Sequence, residues 1–370
     1  MQIQRVESHR QLRQFIALPY AMYRNDPNWV APLRSEQRKL YDPRKNLMLP
    51  HCEYALFLLL EGKNVLGRIA AFFDHDAVEY WGEAVGFFGA YECIDDPTAS
   101  HLLLSTAKHW LQNKGMQKMR GPWSFSSQEW GMVVEGFSPP PVVLAPYNAA
   151  YYPAQMEAFG LQKVKDLLVF LGDPGHGYRI PERFVSFSEV VSKRYGITIR
   201  TLDRKKLERD VKLLVGLTNQ SIARNWGYYP VSEAEANAIA NDLRRIVDPE
   251  LIFIAQDAQG EAVGFAMTLP DINQALTGLD GRLFPLGWLR LLAGMKKINQ
   301  YRMWGLGVVP RYQGKAIDIL LYLATYEVMK KRKARLEINY VLEDNHRMQN
   351  ALQRLQVQQL RRYRVYQAEL

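Results

Sequence analysis

Tyr301-Arg-Met-Trp-Gly-Leu-Gly-Val-Val-Pro310, Arg311-Tyr-Gln-Gly-Lys-Ala316 and Ile317-Asp-Ile-Leu-Leu321 follow one another without a break. Met303 to Val309 is an apolar, glycine-interrupted run of strand length, and Pro310 ends it. From Ala316 onward the apolar residues Ile319, Leu320, Leu323 and Val328 recur at helical spacing, so a helix starts just past Gly314. The first N–H groups of a helix lack intrahelical partners and carry the positive end of its dipole. A glycine just before them leaves room for an anion to reach the backbone. The stretch predicts a strand, a tight loop and a helix N-terminus arranged as a cradle for a pyrophosphate.

These residues resemble the GNAT superfamily of acyl-CoA-dependent N-acyltransferases. Its signature is Arg or Gln, two residues, Gly, one residue, then Gly or Ala, and Arg311, Gly314 and Ala316 match it in order. The Val-Val-Pro before the loop, the helix after it, and a later strand leading to an Asn-headed helix also stand where the family has them. The resemblance implies an α/β fold of two tandem GNAT-like domains, each a mixed, mostly antiparallel sheet flanked by helices. It further implies acetyl-CoA or another acyl-CoA as co-substrate, an amine acceptor, and no metal. The coenzyme is expected on Leu306, Val308, Val309, Arg311, Gln313, Gly314, Lys315, Ala316 and Asn345.

A chain of 370 residues is long enough for two ordinary domains, and 48% hydrophobic with 23% charged residues is globular rather than disordered. The net charge of +9 asks for an acidic partner, which coenzyme A, nucleic acid or an anionic membrane would satisfy. Cys52 and Cys93 form no CxxC pair, so reduced, buried thiols are expected. The charged start has no signal-peptide pattern and no apolar run is of bilayer length. The expectation is a cytoplasmic protein, monomer or homodimer, that meets acyl-CoA and an amine but not DNA.

Residues 1–173 read as a first α/β unit, 174–180 as a linker around Asp173-Pro174-Gly175-His176-Gly177, and 181–370 as the second unit. In the first, two apolar runs flank Gly62-Lys63-Asn64, a hairpin signal. Where a coenzyme loop would need glycine and a cation, this half has Asp95-Asp96-Pro97-Thr98. Carboxylates there satisfy the helix's own N–H groups, so a degenerate domain without a coenzyme loop is expected. The aromatic, proline-rich segment from Gly121 to Tyr152 suits either a binding surface or a braced cover over the sheet.

In the second half, Asn225-Trp226-Gly227-Tyr228-Tyr229-Pro230 precedes Ser232 and Glu235, a capping box. By resemblance Trp226, Tyr228 and Tyr229 line the acceptor pocket, and the alternative is an aromatic packing plug. The insertion from Asp271 to Asn299 carries a large apolar face beside Arg282, Arg290, Lys296 and Lys297. It reads first as a core-covering helix, with a lid, an oligomer contact or an interfacial helix as alternatives. Leu336 to Leu342 is a strand with Glu337, Asn339 and Val341 on one face, and Asn345 heads the next helix.

Direct attack of an amine on a thioester needs aligned substrates, a backbone N–H facing the thioester oxygen, and a route for the ammonium proton. Leu306 to Val309 would supply the N–H, with glycines 305 and 307 permitting a bulge. Glu337 is the first candidate base, with a water relay and Asp271 as alternatives. Leu352 stands where many family members carry a tyrosine acid, seven residues after the asparagine, so either Tyr340 or another tyrosine takes that role or the thiolate leaves without a dedicated acid. Two other classes stay open: an inactive GNAT-fold ligand-binding or regulatory protein, and an aminoacyl-tRNA-dependent transferase using the basic run Lys330 to Arg335.

Overall fold

Strand β1 (Gln2–Arg5), helices α1 (His9–Met22) and α2 (Arg34–Leu40), and the hairpin β2 (Cys52–Glu61) and β3 (Asn64–Asp74) begin the chain. The hairpin turns through Gly62 at φ +60°, as its turn residues predict. Helix α3 (His75–Trp81), β4 (Val85–Cys93), α4 (Pro97–Asn113), β5 (Lys118–Gly121), β6 (Met132–Glu135), α5 (Tyr152–Ala158) and β7 (Gln162–Gly172) follow. Then come α6 (Glu182–Tyr195), β8 (Thr198–Thr201), α7 (Leu207–Ser221), α8 (Glu233–Leu243), β9 (Ile252–Gln256), β10 (Ala262–Pro270), α9 (Asn273–Leu276) and α10 (Gly287–Met295). The chain closes with β11 (Gln300–Val308), α11 (Ile317–Arg332), β12 (Arg335–Leu342), α12 (His346–Arg354) and β13 (Gln358–Glu369). This computed structural model describes residues 1–126, 129–230, 232–243 and 247–370; Ser127 and Gln128 of the aromatic segment lie outside the described residues.

The chain divides into two units: Met1–Leu167, Ala275–Gly294 and Arg361–Leu370 form one, Leu168–Gln274 and Met295–Leu360 the other. This corrects the expected boundaries. The first division falls inside β7, not in the Pro174–His176 turn, and the last ten residues belong to the first unit because β13 pairs with β5 and β6 there. The insertion is also drawn into the first unit: Arg34 donates its N–H to Gly281 O at 3.0 Å, and a Cβ at Gly281 would lie 2.4 Å from Pro32 O.

The sheet of the first unit runs β1-β2-β3-β4-β5-β13, antiparallel except for the parallel pair β4 and β5. Its core holds Phe88, Leu103, Leu104, Leu111 and Met119, which α4 and the strands bring together. In the second unit the order is β12-β11-β10-β9-β8, antiparallel except for β11 and β12. Helix α11 is the crossover between those two strands, burying Ile317, Leu320 and Leu321 on one side and Tyr326 and Met329 on the other. The α/β class with a mostly antiparallel sheet flanked by helices is the one the sequence predicts.

Candidate active site

Strands β11 and β12 pair in parallel from Gln300 opposite Arg335 to Met303 opposite Ile338. Past that point the two strands separate, although β11 runs on to Val308 and β12 to Leu342. On its other edge β11 stays paired with β10 up to Val308, with Trp304 as the extra residue of a bulge between Thr268–Met303 and Met267–Gly305. Val309 N–H donates to Val263 O at 2.9 Å. By the alternation of an antiparallel ladder, the backbone groups of Leu306 and Val308 then face the opposite edge, which β12 has left. A cleft of about 290 Å³ opens there.

The floor of the cleft is the loop into α11. Gly314 takes φ +82° and Ala316, the residue before the helix, φ +61°. No side chain caps α11, and a Cβ built on Gly314 would find nothing within 4 Å. An uncapped helix N-terminus beside an open glycine fits a phosphate-bearing coenzyme. Its counterpart in the first unit does not: Asp96 caps α4, accepting from Ala99 N–H at 2.8 Å, as the acidic loop predicts.

Of the residues expected to hold the coenzyme, Leu306, Val308, Gln313, Gly314 and Asn345 line the cleft. Gln313 donates from Nε2 to Val308 O at 3.0 Å and so fastens the loop to the strand end. Asn345 also caps α12, accepting from Met348 N–H at 3.1 Å. Val309 is corrected as a source of a free N–H, since β10 takes it. Arg311 is exposed and pairs with Glu261, a hydrogen bond that raises its pKa further. Lys315 lies over the rings of Tyr312, at 4.2 Å, and Tyr195, at 5.3 Å. Ala316 sits at the helix start.

Tyr340 lines the cleft, its ring 5.3 Å from the Arg302 guanidinium carbon. Glu337 does not line it. That carboxylate is fully buried, accepting from Asn339 Nδ2 at 2.9 Å and from Gln300 Nε2 at 3.5 Å. Asn339 in turn accepts from Arg302 Nε at 2.6 Å and itself borders the cleft. Leu352 is buried in the core. Tyr228 is buried and donates to Asn219, which makes it the packing plug, while Trp226 and Tyr229 are half-buried beside it. Ser221, Ile222 and Asn225 at the end of α7 border the cleft instead.

Sequence reasoning missed Arg302, Asn339 and Tyr322 as site residues. The period-two alternation that set Glu337 and Asn339 on one strand face carried the signal for Asn339; Tyr322, on α11, reads like any helix core residue. Elsewhere, His51, Cys52 and Asp74 bring potential ligand atoms within 4.8 Å of one another. Asp74 has a structural role, accepting from the Asp76 and Ala77 N–H groups to cap α3. In the basic run, Arg332 is engaged with Asp248 at 2.7 Å and Glu250 at 2.8 Å.

No family model matches the chain. It is 32% identical over 378 residues to the bacterial ceramide synthase of Caulobacter vibrioides, covering 99% of this chain and 96% of that protein. It is likewise 32% identical over 372 residues to protein YghO of Escherichia coli, covering 97% and 93%. Among solved structures, a tandem GNAT protein from the clavulanic acid biosynthesis pathway superposes with TM-score 0.56 at 12% identity, covering 100% of this chain and 98% of that one. A GCN5-related N-acetyltransferase from Sphaerobacter thermophilus does so with TM-score 0.51 at 15% identity, covering 86% and 80%. At these identities the solved structures speak for the fold, whereas the sequence relatives extend along nearly the whole chain. The two relatives show the family and the solved structures the fold: the chain has the tandem GNAT fold and belongs to the family of the bacterial ceramide synthase and YghO.

Proposed function

We propose that this chain is an acyl-CoA-dependent N-acyltransferase that joins a long-chain acyl group to the amine of a lipid base. The observation that carries the proposal is the cleft where β12 leaves β11 above the uncapped start of α11. The lipid acceptor and the long acyl chain rest on the relative named as a ceramide synthase, since a ceramide is the N-acyl amide of a long-chain base. Acetyl-CoA is the comparison donor. The first unit is the degenerate partner of a tandem GNAT pair, and the second carries the reaction.

The bound thioester supplies an activated acyl carbon; the amine lone pair forms the C–N bond as the C–S bond breaks, and one proton passes from nitrogen toward the departing sulfur. The α11 N-terminus and Gly314 hold phosphate through backbone N–H groups, and Lys315 and Arg311 stand beside them. Arg311 is held by an exposed ion pair with Glu261 and lies over the Tyr312 ring, weak interactions that yield to a ligand. The edge of Leu306 and Val308 that β12 has left orients the acyl arm and offers N–H groups to its carbonyl oxygen. Tyr340 donates the proton to sulfur. Glu337 acts through Asn339, fixing the cleft wall, and a water removes the amine proton. The acceptor approaches along Ser221, Asn225 and the neighbouring Trp226.

The test supplies the full chain with palmitoyl-CoA or acetyl-CoA and a sphingoid base, following thiol release and the mass of the amide. Long-chain amide from palmitoyl-CoA is the expected result. Product only from acetyl-CoA and small water-soluble amines would remove the lipid reading. Coenzyme binding without turnover on any amine would leave the inactive binding protein instead.

A further inference from the structure

The insertion in the first unit ends in a helix that has no core to join. Helix α10 buries none of its residues, which overturns the core-covering reading. Leading into it, Phe284 is 82% exposed and Leu286 63%; on it, Leu292 is 57% exposed, with Trp288 and Leu289 also exposed. Leu292 lies four residues after Trp288 and three after Leu289, so it shares a face with each of them. The opposite side is built from small residues against backbone: a Cβ on Gly294 would lie 2.9 Å from Ala275 Cα, and one on Gly287 2.2 Å from Arg282 O. The apolar face is therefore held outward by close packing behind it.

The charged residues within and just after this segment have one sign, with exposed Asp280 just before it. From Gly281 to Gln300 the sequence contains Arg282, Arg290, Lys296 and Lys297 and no Asp or Glu. All four cations are exposed. Exposed large side chains including a tryptophan, interleaved along the chain with exposed Arg282 and Arg290, complement a surface that is apolar below and anionic on top.

We infer that residues 282–294 dock the protein onto an anionic phospholipid bilayer, with Phe284, Leu286, Trp288 and Leu292 entering the headgroup boundary and Arg282 and Arg290 meeting lipid phosphates. This inference is independent of the proposed reaction and is measured without acyl-CoA or amine. The full chain is sedimented with vesicles of equal parts phosphatidylglycerol and phosphatidylcholine, or of phosphatidylcholine alone. The wild type sediments with the mixed vesicles and far less with phosphatidylcholine. Arg282→Gln with Arg290→Gln lowers the binding constant about twenty-five-fold, at about fivefold per cation. Phe284→Ser, Leu286→Ser and Leu292→Ser together abolish sedimentation while leaving the melting temperature in place, as exposed positions allow. Equal sedimentation of the wild type and the serine variant would overturn the inference. So would a lipid-free dimer that the serine substitutions dissociate while the wild type ignores vesicles, since the face would then be a contact between copies.

Discussion

Met303 and Ile338 are the last residues at which β11 and β12 sit side by side. Beyond them the edge of β11 at Leu306 and Val308 has no strand neighbour among the described residues, and the edge that faces β10 keeps Val309 occupied. An unpaired strand edge inside a fold offers backbone hydrogen bonds to an extended ligand. The binding geometry thus comes from where two strands stop pairing, and the predictions about ligand binding concern the residues around that point.

Gly314→Glu tests the cradle. The added side chain enters open space, so the cost is confined to placing a non-glycine residue at φ +82°, about 1 kcal/mol. Its carboxylate, however, stands at the positive end of α11, where a phosphate would sit. Calorimetry is expected to give at least a tenfold loss of coenzyme A affinity with a melting temperature within a few degrees of wild type. Unchanged affinity would remove the assignment of this helix terminus.

Tyr340→Phe separates binding from proton delivery. The ring remains over Arg302 and the cleft keeps its wall. If the hydroxyl protonates the departing thiolate, kcat falls by about a hundredfold, and the dissociation constant for the acyl-CoA is unchanged. A kcat within twofold of wild type would show that the thiolate leaves without this acid.

What the sequence made legible was the part written in backbone chemistry. Gly314 and Ala316 after an apolar strand announced the loop, and Asp96 announced the filled helix terminus in the other unit, because both depend on local residues alone. The catalytic candidates were less legible. Glu337 reads as an available carboxylate, yet it is buried between Asn339 of its own strand and Gln300 of the neighbouring β11, and the second contact has no local signature. The unit boundaries failed for the same reason: pairing of β13 with β5 joins residues nearly 250 positions apart, as in Gln367 with Arg120, and no local pattern carries it. The insertion was misread because an apolar helical period looks the same whether a core or a membrane covers it.

Leu352→Tyr asks whether the missing family tyrosine can be restored. Leu352 is fully buried, packed in the core with Leu336, Ile338 and Leu355. A larger ring there overpacks the site and leaves a hydroxyl without water, so the variant is expected to lose about 1–3 kcal/mol of stability and gain no activity. Denaturant unfolding and the turnover assay check both halves; a stable variant with raised kcat would mean that α12 can turn this position toward the cleft.

Asp210 provides a pH-dependent prediction for the second unit. It is fully buried, accepting from Arg200 Nη1 at 2.7 Å and Nη2 at 2.9 Å, from Arg209 Nη2 at 2.8 Å and from Asp203 N–H at 2.9 Å. Burial alone would push its carboxyl up; the hydrogen bonds from Arg200, Asp203 and Arg209 outweigh that and bring the pKa down to about 2. An unfolded aspartate titrates near about 3.9. Because the folded value is the lower one, the stabilisation is complete above the unfolded pKa and is lost as pH falls toward the folded one. After allowing for solvent around the partly exposed guanidinium groups, Asp210→Asn is expected to cost about 1–2 kcal/mol at neutral pH. The gap between wild type and variant in urea unfolding should shrink by about half by pH 3. A gap that stays constant across that range, or widens on acidification, would mean that the aspartate is not ionised in the folded protein and that the link from β8 to α7 is made by packing rather than by charge.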